Sequence, residues 1–290
     1  MPDQDQEQLV IYATPADGVA RITLNRPDKR NAQNAPLLYA LDAAFQKAAR
    51  DNDIRCIILD AAGADFSAGH DLSAGYLKNI EYIKGINPVT MEGGFDRDGA
   101  EGMYATEQEI YLDLVKRIRN LPKPTIAAVQ GKCIAAGLML AWACDLIIAS
   151  EEATFMDPVV TYGMPGVEWF AHPYELGIRK AKQMLFTADK WTAADAKVFG
   201  MVNEVVARDA LADTALAMAS KIATKPTFAL RTVKEAINRA ADHPGIQPSI
   251  EANMPLHHLA HQHNMRLYGR AMDPTHVPGW SAAPAKKPAE

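Results

Sequence analysis

The residues best equipped for chemistry in this 290-residue chain fall into a few places. Phe66-Ser67-Ala68-Gly69-His70-Asp71-Leu72 sets a histidine and an aspartate among small residues. Ala135-Ala136-Gly137 opens a long apolar run, and Glu168 stands beside Trp169 and Phe170. His257, His258, His261 and His263 cluster late in the chain. His257 and His261 are four apart and share one helix face, as metal ligands can. No acid or cysteine stands at a matching offset, so the cluster reads as a solvated or subunit-facing helix, and no metal is expected. Ser67 and His70 are too close along the chain for a nucleophilic triad. No G-x-S-x-G elbow, Walker loop or G-x-G-x-x-G is present. Asp157 reads as a turn-fixing residue before Pro158, and His172 as a packing or capping residue before Pro173. Trp142, Trp169 and Phe170 read as core, with a pocket wall as the alternative.

These residues need a frame, and composition bounds it. Apolar residues make up 48% and charged residues 22%, near globular averages, and the net charge is −5. That balance offers no electrostatic footprint for nucleic acid. The longest apolar run, Cys133 to Cys144, falls short of the ~20 residues a bilayer span needs. The start of the sequence lacks the pattern of a secretory signal. Cys56, Cys133 and Cys144 are few and lie in apolar surroundings, which points to reduced core thiols and a cytoplasmic protein.

Strand–turn–strand patterning over residues 9–24 predicts a hairpin. Leu37, Leu38, Leu41, Ala44, Phe45 and Ala48 mark one face of a helix over 35–52. Short apolar runs at 56–59, 125–129, 146–149 and 203–206 predict buried strands alternating with helices, hence parallel βαβ units. Residues 76–105 read as a long irregular stretch, of the kind that forms lids or binding loops. Thr106 with Glu109 has capping-box spacing and predicts a helix from Thr106 to Asn120, with Glu109 a candidate to reach the pocket. Helices are expected over 135–143, 167–177, 178–187 and 192–199. After Arg208 the chain reads as helical, over 211–223, 227–241 and 246–267. A tail at 281–290 is expected to be disordered.

Four stretches in order resemble the enoyl-CoA hydratase/isomerase (crotonase) superfamily. They are Leu24-Asn25-Arg26-Pro27 with Asn31-Ala32; the F-x-A-G-x-D-L of 66–72; residues 122–145, with K-P-T-I-A-A-V-Q-G, A-A-G and C-D-L; and residues 155–206, ending in A-D-A-x-x-F-G-x-V-N-E-V-V. The resemblance implies an α/β fold: a ββα spiral acyl-CoA-binding core over 1–206 and a helical trimerisation region over 207–280. It implies a homotrimer or a hexamer built as a dimer of trimers, an acyl-CoA thioester as substrate, and no cofactor beyond that coenzyme A. By the same alignment the amides of His70 and Ala136 hold the thioester oxygen, the second just ahead of Gly137. Two preorganised amides at a helix N-terminus are suited to the charge of a thioester enolate. Small residues at Ala68, Gly69, Ala135, Ala136 and Gly137 would let backbone approach a ligand, or would simply pack tightly. Coenzyme A contacts carry over to Lys29, Arg30, Ala68 and Leu72, the two bases facing phosphates; an ordinary solvated basic turn is the alternative.

The chain departs from the family where hydration is done. Hydratases of this pattern carry two glutamates; here Met139 and Val159 occupy those positions, and neither can transfer a proton. Glu168 is the first candidate to replace them, placed at the start of a helix beside two aromatic rings that would desolvate it. The alternative is a carboxylate serving only the helix dipole. The His70 imidazole is a second candidate. The expected activity is therefore hydratase/isomerase-like chemistry through a stabilised enolate. Decarboxylation, thioester hydrolysis and an inactive acyl-CoA-binding protein are the alternatives.

Overall fold

The computed structural model describes residues 8–73, 76–88, 90, 93–242, 245–272 and 274. The expected tail at 281–290 lies outside them. Strands β1 (Val10–Ala16) and β2 (Val19–Leu24) form the predicted hairpin, turning at Gly18 with φ +75°. Helix α1 (Ala35–Arg50) starts where the Asn34 side chain accepts from Leu37 N–H, and its apolar stripe is buried. Strands β3 (Cys56–Ala61), β4 (Thr125–Val129), β6 (Leu146–Ser150) and β9 (Glu204–Val206) follow where apolar runs predicted them.

The main sheet runs β1-β2-β3-β4-β6-β9, parallel throughout except for the opening hairpin. A second sheet holds β5 (Lys132–Ile134), β7 (Thr154–Met156) and β8 (Trp191–Thr192). Isolated bridges Ser67–Cys133 and Gln33–His70 extend this layer. Each turn of the chain thus lays one strand in the large sheet and a shorter one in the small layer, which is a ββα spiral. Sequence patterning missed β5, β7 and β8 because they are two or three residues long, too short for a period to show.

Between them stand α5 (Ala136–Ala143), α6 (His172–Leu176), α7 (Ile178–Thr187) and α8 (Ala193–Val198), the last opened by a capping box of Thr192 and Asp195. Helix α9 (Leu211–Ala223) lays Leu211, Ala215, Ala219 and Ala223 on Val19, Cys56, Ile58, Ile126, Ala128 and Ile148 of the sheet. The other face, with Ile57 and Leu59, packs under α1 and α5 in the larger core. Helices α10 (Thr227–Asp242) and α11 (Ile246–Tyr268) complete the chain. Buried Lys234 docks α10, its ammonium 2.8 Å from Asp145 and 3.0 Å from the Lys123 carbonyl. No described helix is long and apolar enough to cross a membrane. All three cysteines are free and buried, with thiol pKa values raised by burial.

Three expectations need correction. The stretch 76–105 is not irregular throughout: it contains α2 (Tyr76–Ile86) and the start of α3 (Ala100–Glu107). Ile80 and Ile83, three apart, bury one face of α2. Thr106 caps nothing; it lies inside α3 and its hydroxyl bonds back to the Gly102 carbonyl at 2.8 Å. From α3 the chain continues through a π-helical turn (Gln108–Asp113) into α4 (Leu114–Arg119). Residues 167–171 are not helical, because α6 begins only at His172, with proline in its first turn. Glu168 therefore sits in an irregular segment, without a helix dipole of its own.

Candidate active site

Two crossing points of the spiral build the site. The loop 66–72 runs beside Gln33, whose amide bonds Gly69 O and whose carbonyl accepts from Asp71 N–H. In a parallel bridge of this kind the residue between, His70, turns its own N–H away from that neighbour. The Gly69 amide is taken by Ser67 Oγ at 3.2 Å, and Ser67 Oγ in turn donates to the Asn31 carbonyl. The second crossing is the turn from β5 into α5. Ala135 has φ +49° and ψ −118°, a strained conformation for a residue with a Cβ. Its amide is pinned to Met156 O and that of Ile134 to Ser67 O. Ala136 is then the first residue of α5, where no carbonyl of the helix reaches its N–H. Among the described residues neither the His70 nor the Ala136 amide donates to a protein acceptor.

Glycine makes this approach possible. Gly69 has φ +89°, and a Cβ there would lie 2.9 Å from Ile134 O and 3.3 Å from Ala136 N. A Cβ on Gly137 would lie 2.7 Å from Ser67 O. Both small residues are thus required by the contact of loop and helix.

A cavity of about 330 Å³ opens beside the 68–72 loop and the Ile134–Ala135 turn. Its walls include Ala68, His70, Leu72, Ile134 and Ala135 on one side, and Val159, Tyr162, Met164 and Val167 on the other. Glu168 lines it too, 2% exposed, with Oε2 3.7 Å from His70 Nε2 and Oε1 3.6 Å from His257 Nε2. The His70 ring stacks on Tyr111 at 3.6 Å between centroids. Burial, with the charges of Glu168 and Glu107 added, holds the Tyr111 phenol far above its ordinary pKa.

Buried Asp157 shapes the segment that carries Glu168. Its carboxylate accepts from the amides of Val159 and Val167, each at 3.2 Å, and lies 2.8 Å from His172 Nε2. Asp157 therefore fixes a turn, as expected of it, His172 is its buried ring partner, and neither is among the residues of the cavity wall.

Three of the four late histidines are neither solvated nor without an acid, which corrects the sequence expectation; His263 is exposed. His257, His258 and His261 are 5–6% exposed and converge on Glu107 from α3. Glu107 Oε1 is 3.0 Å from His261 Nε2; Oε2 is 3.2 Å from His258 Nε2 and 3.4 Å from His257 Nε2. Burial alone would raise the Glu107 pKa, but the three imidazoles hold it well below the usual carboxylate range. Burial likewise pulls His257 down, while Glu107 and Glu168 outweigh it and push the imidazole up to about 9. Glu107, His257 and His261 all line the cavity. Sequence reasoning missed Glu107 because it lies 154 residues from His261, beyond any periodic signal.

The remaining expected residues are placed as follows. Met139 is fully buried in α5 and Val159 is on the cavity wall, so no carboxylate stands at either position. Glu109 does not reach the cavity; it accepts from Tyr39 and Thr90 and pairs with Arg117. Trp142 and Trp169 are buried core, and Phe170 lies against Gly166 and His172. Lys29 and Arg30 are exposed, in a turn whose Arg30 carbonyl accepts from Ala68 N–H at the cavity edge.

Comparison with known proteins agrees with this architecture. The sequence profile described as enoyl-CoA hydratase/isomerase matches residues 14–87 and 91–274. EchA13 of Mycobacterium tuberculosis, which bears an enoyl-CoA hydratase name, is 41% identical over 97% of this chain and 91% of its own. The 1,2-epoxyphenylacetyl-CoA isomerase of Escherichia coli is 32% identical over 77% of this chain and 79% of its own. A crystal structure of a "probable enoyl-CoA hydratase" from Mycobacterium smegmatis superposes with a TM-score of 0.81 at 44% identity, over 91% of this chain and 99% of that one. The fold is the crotonase ββα spiral, and the chain belongs to the enoyl-CoA hydratase/isomerase family, whose enzymes need no cofactor beyond the CoA thioester.

Proposed function

We propose that the cavity holds the acyl end of a CoA thioester, with its carbonyl oxygen between the amides of His70 and Ala136. The observation that carries this is the close approach of the two segments, Gly69 against Ala136 N, with no protein acceptor for either amide among the described residues, beside a cavity that the buried Glu168 carboxylate lines. An enolate formed there is stabilised by both donors, and each is worth roughly 3–4 kcal/mol of barrier. Glu168 serves as the base. It takes a proton from the carbon next to the thioester carbonyl and returns it two carbons further along the enolate, which moves a double bond with no net change in atoms. One carboxylate suffices for this isomerisation. Hydration needs a group to activate water as well, and Met139 and Val159 supply none.

The coenzyme A part lies along the edge formed by Lys29, Arg30, Ala68 and Leu72, where two exposed cations suit phosphates. Gly137 contributes by bringing α5 against the 66–72 loop. Phe228, Val233 and Ile237 of α10, 52–75% exposed and spaced along one helix, support assembly into a trimer or a pair of trimers through the helical region after residue 206. The cytoplasm is the expected compartment.

The test is a mass-spectrometric screen of 2-enoyl-, 3-enoyl-, malonyl-type and aromatic acyl-CoAs with wild type and Glu168→Gln. An unchanged mass with altered retention identifies isomerisation, lost in the variant. Gain of water, loss of carbon dioxide or release of free thiol would replace isomerisation with hydration, decarboxylation or hydrolysis. Binding with no conversion would make the chain an acyl-CoA-binding protein, the reading favoured by the two missing acids.

A further inference from the structure

The cluster behind Glu168 exceeds what thioester enolate chemistry requires. Glu107, His257 and His261 present one ligand atom each, all within 4.8 Å of one another and all buried. Both histidines are tied from behind. His257 Nδ1 lies 3.1 Å from the Gly166 carbonyl and His261 Nδ1 lies 2.8 Å from the Ala271 carbonyl. A carbonyl only accepts, so each Nδ1 carries the proton and donates. Each Nε2 then faces Glu107, and an ion there would take the place of the proton that Nε2 carries toward the carboxylate. This is the arrangement by which metal-binding histidines have their tautomer fixed.

Hydrogen bonding does not fully account for the cluster. His257 Nε2, both ring nitrogens of His258 and Glu107 Oε2 are buried without an aligned hydrogen bond, although Glu107 Oε2 is within 3.4 Å of two imidazoles. Donor atoms around an ion at ~2.0–2.2 Å are spaced by roughly 3.0–3.5 Å. The contacts of Glu107 Oε1 with His261 Nε2 at 3.0 Å and of Glu107 Oε2 with His257 Nε2 at 3.4 Å have the length of such edges, one to each carboxylate oxygen.

We infer that Glu107, His257 and His261 form a binding site for a divalent first-row transition ion, with His258 and Glu168 flanking it. Two imidazoles and a carboxylate suit Zn²⁺, Fe²⁺ or Mn²⁺ rather than Ca²⁺ or Mg²⁺, which prefer all-oxygen shells. Three protein ligands leave a coordination position open toward the cavity that they line. A water or a substrate oxygen fits that position. The site goes beyond the family's chemistry and does not rest on the thioester reading.

The experiment uses untagged full-length protein, stripped with chelator and desalted, with no thioester present. Zn²⁺ binding is measured by calorimetry and metal content after dialysis, and Co²⁺ binding by its visible spectrum. The expected result is one Zn²⁺ per chain, at least tenfold weaker in His261→Ala and Glu107→Gln, and unchanged in His263→Ala, an exposed histidine on the same helix. Circular dichroism establishes that each variant is folded. Should both ligand variants unfold, the wild-type Co²⁺ spectrum decides, since imidazole ligation in a site of low coordination number gives bands far stronger than those of the hexaaquo ion. Wild-type binding no tighter than that of the folded variants, loss of binding in His263→Ala, or a hexaaquo spectrum would overturn the inference. Because thioester binding is measured separately, failure of either reading leaves the other standing.

Discussion

Gly69→Ala is the most direct perturbation of the amide pair. At φ +89° an L-residue is strained by about 1–2 kcal/mol. The added Cβ would also stand 2.9 Å from Ile134 O and 3.1 Å from Ala135 Cβ. The first of these is backbone held in β5 and cannot rotate away, so overpacking adds about 1–3 kcal/mol. The expected loss of stability is therefore about 2–5 kcal/mol, a large share of a typical 5–15 kcal/mol total. A chain that survives this must move residues 67–70 away from the β5–α5 turn, and that parts the His70 and Ala136 amides. Loss of one donor lowers turnover by about 10²–10³-fold. Three readouts separate the effects: denaturant unfolding, kcat on the thioester converted in the screen, and the carbonyl chemical shift of a bound acyl-CoA labelled with ¹³C at C1. The shift reports polarisation of the carbonyl whether or not turnover occurs. Gly85→Ala, with nothing within 4 Å of the new Cβ, is the control: in the last turn of α2 it should raise stability by at most about 1 kcal/mol and leave turnover and the carbonyl shift unchanged. If Gly69→Ala loses less than about 1 kcal/mol and keeps both turnover and the carbonyl shift, the close approach at Gly69 does not build the site.

Two further predictions follow from buried groups. Burial pushes the half-buried Glu175 carboxyl up to about 7 from 4.5, against the pull of Arg119. The folded chain then holds this proton more tightly than the unfolded one, so stability is full below about pH 4.5 and is lost as pH rises through 7. Glu175→Gln should raise the melting temperature at pH 8, by about 1–3 kcal/mol of stability, and leave it unchanged at pH 4; an equal effect at both values would assign the change to packing. Met139→Glu places an acid where the family resemblance expects one, yet Met139 is fully buried in the core from α5. We expect a loss of at least about 3 kcal/mol and no hydration of 2-enoyl-CoA. A stable variant that adds water to the double bond would show that the side chain reaches the cavity after all.

Much of the frame was legible because its signals are local. The strands β2, β3, β4 and β6 are short apolar runs, and α1 and α9 carry an apolar stripe whose spacing needs only a window of one helix. The proposed amide pair rests on the family resemblance instead, and the small residues around both positions are its only local sign. What escaped was everything decided by tertiary contact. Strands β5, β7 and β8 exist because neighbouring turns of the spiral offer them partners, and no period fits into two or three residues. Residues 167–171 are expected to be helical, but the Asp157 carboxylate takes the Val167 amide and ties the segment to a different turn.

The histidine cluster shows the same limit with more consequence. On its own helix it offers only an i,i+4 pair, and a solvated face was the economical reading. Its acid arrives from α3, and its carbonyl partners from residues 166 and 271. These contacts turn the His257 and His261 imidazoles inward, and with His258 they form a buried group around Glu107, beside Glu168. Whatever neutralises Glu107 also sets the field at Glu168, through His257, which stands between the two carboxylates at 3.4 and 3.6 Å. A proton on His257 and an ion on its Nε2 are alternative occupants of one position. The ion brings the larger charge and an open coordination site, and the proton brings neither. Occupancy of that position therefore sets the charge that the Glu168 carboxylate faces across 3.6 Å.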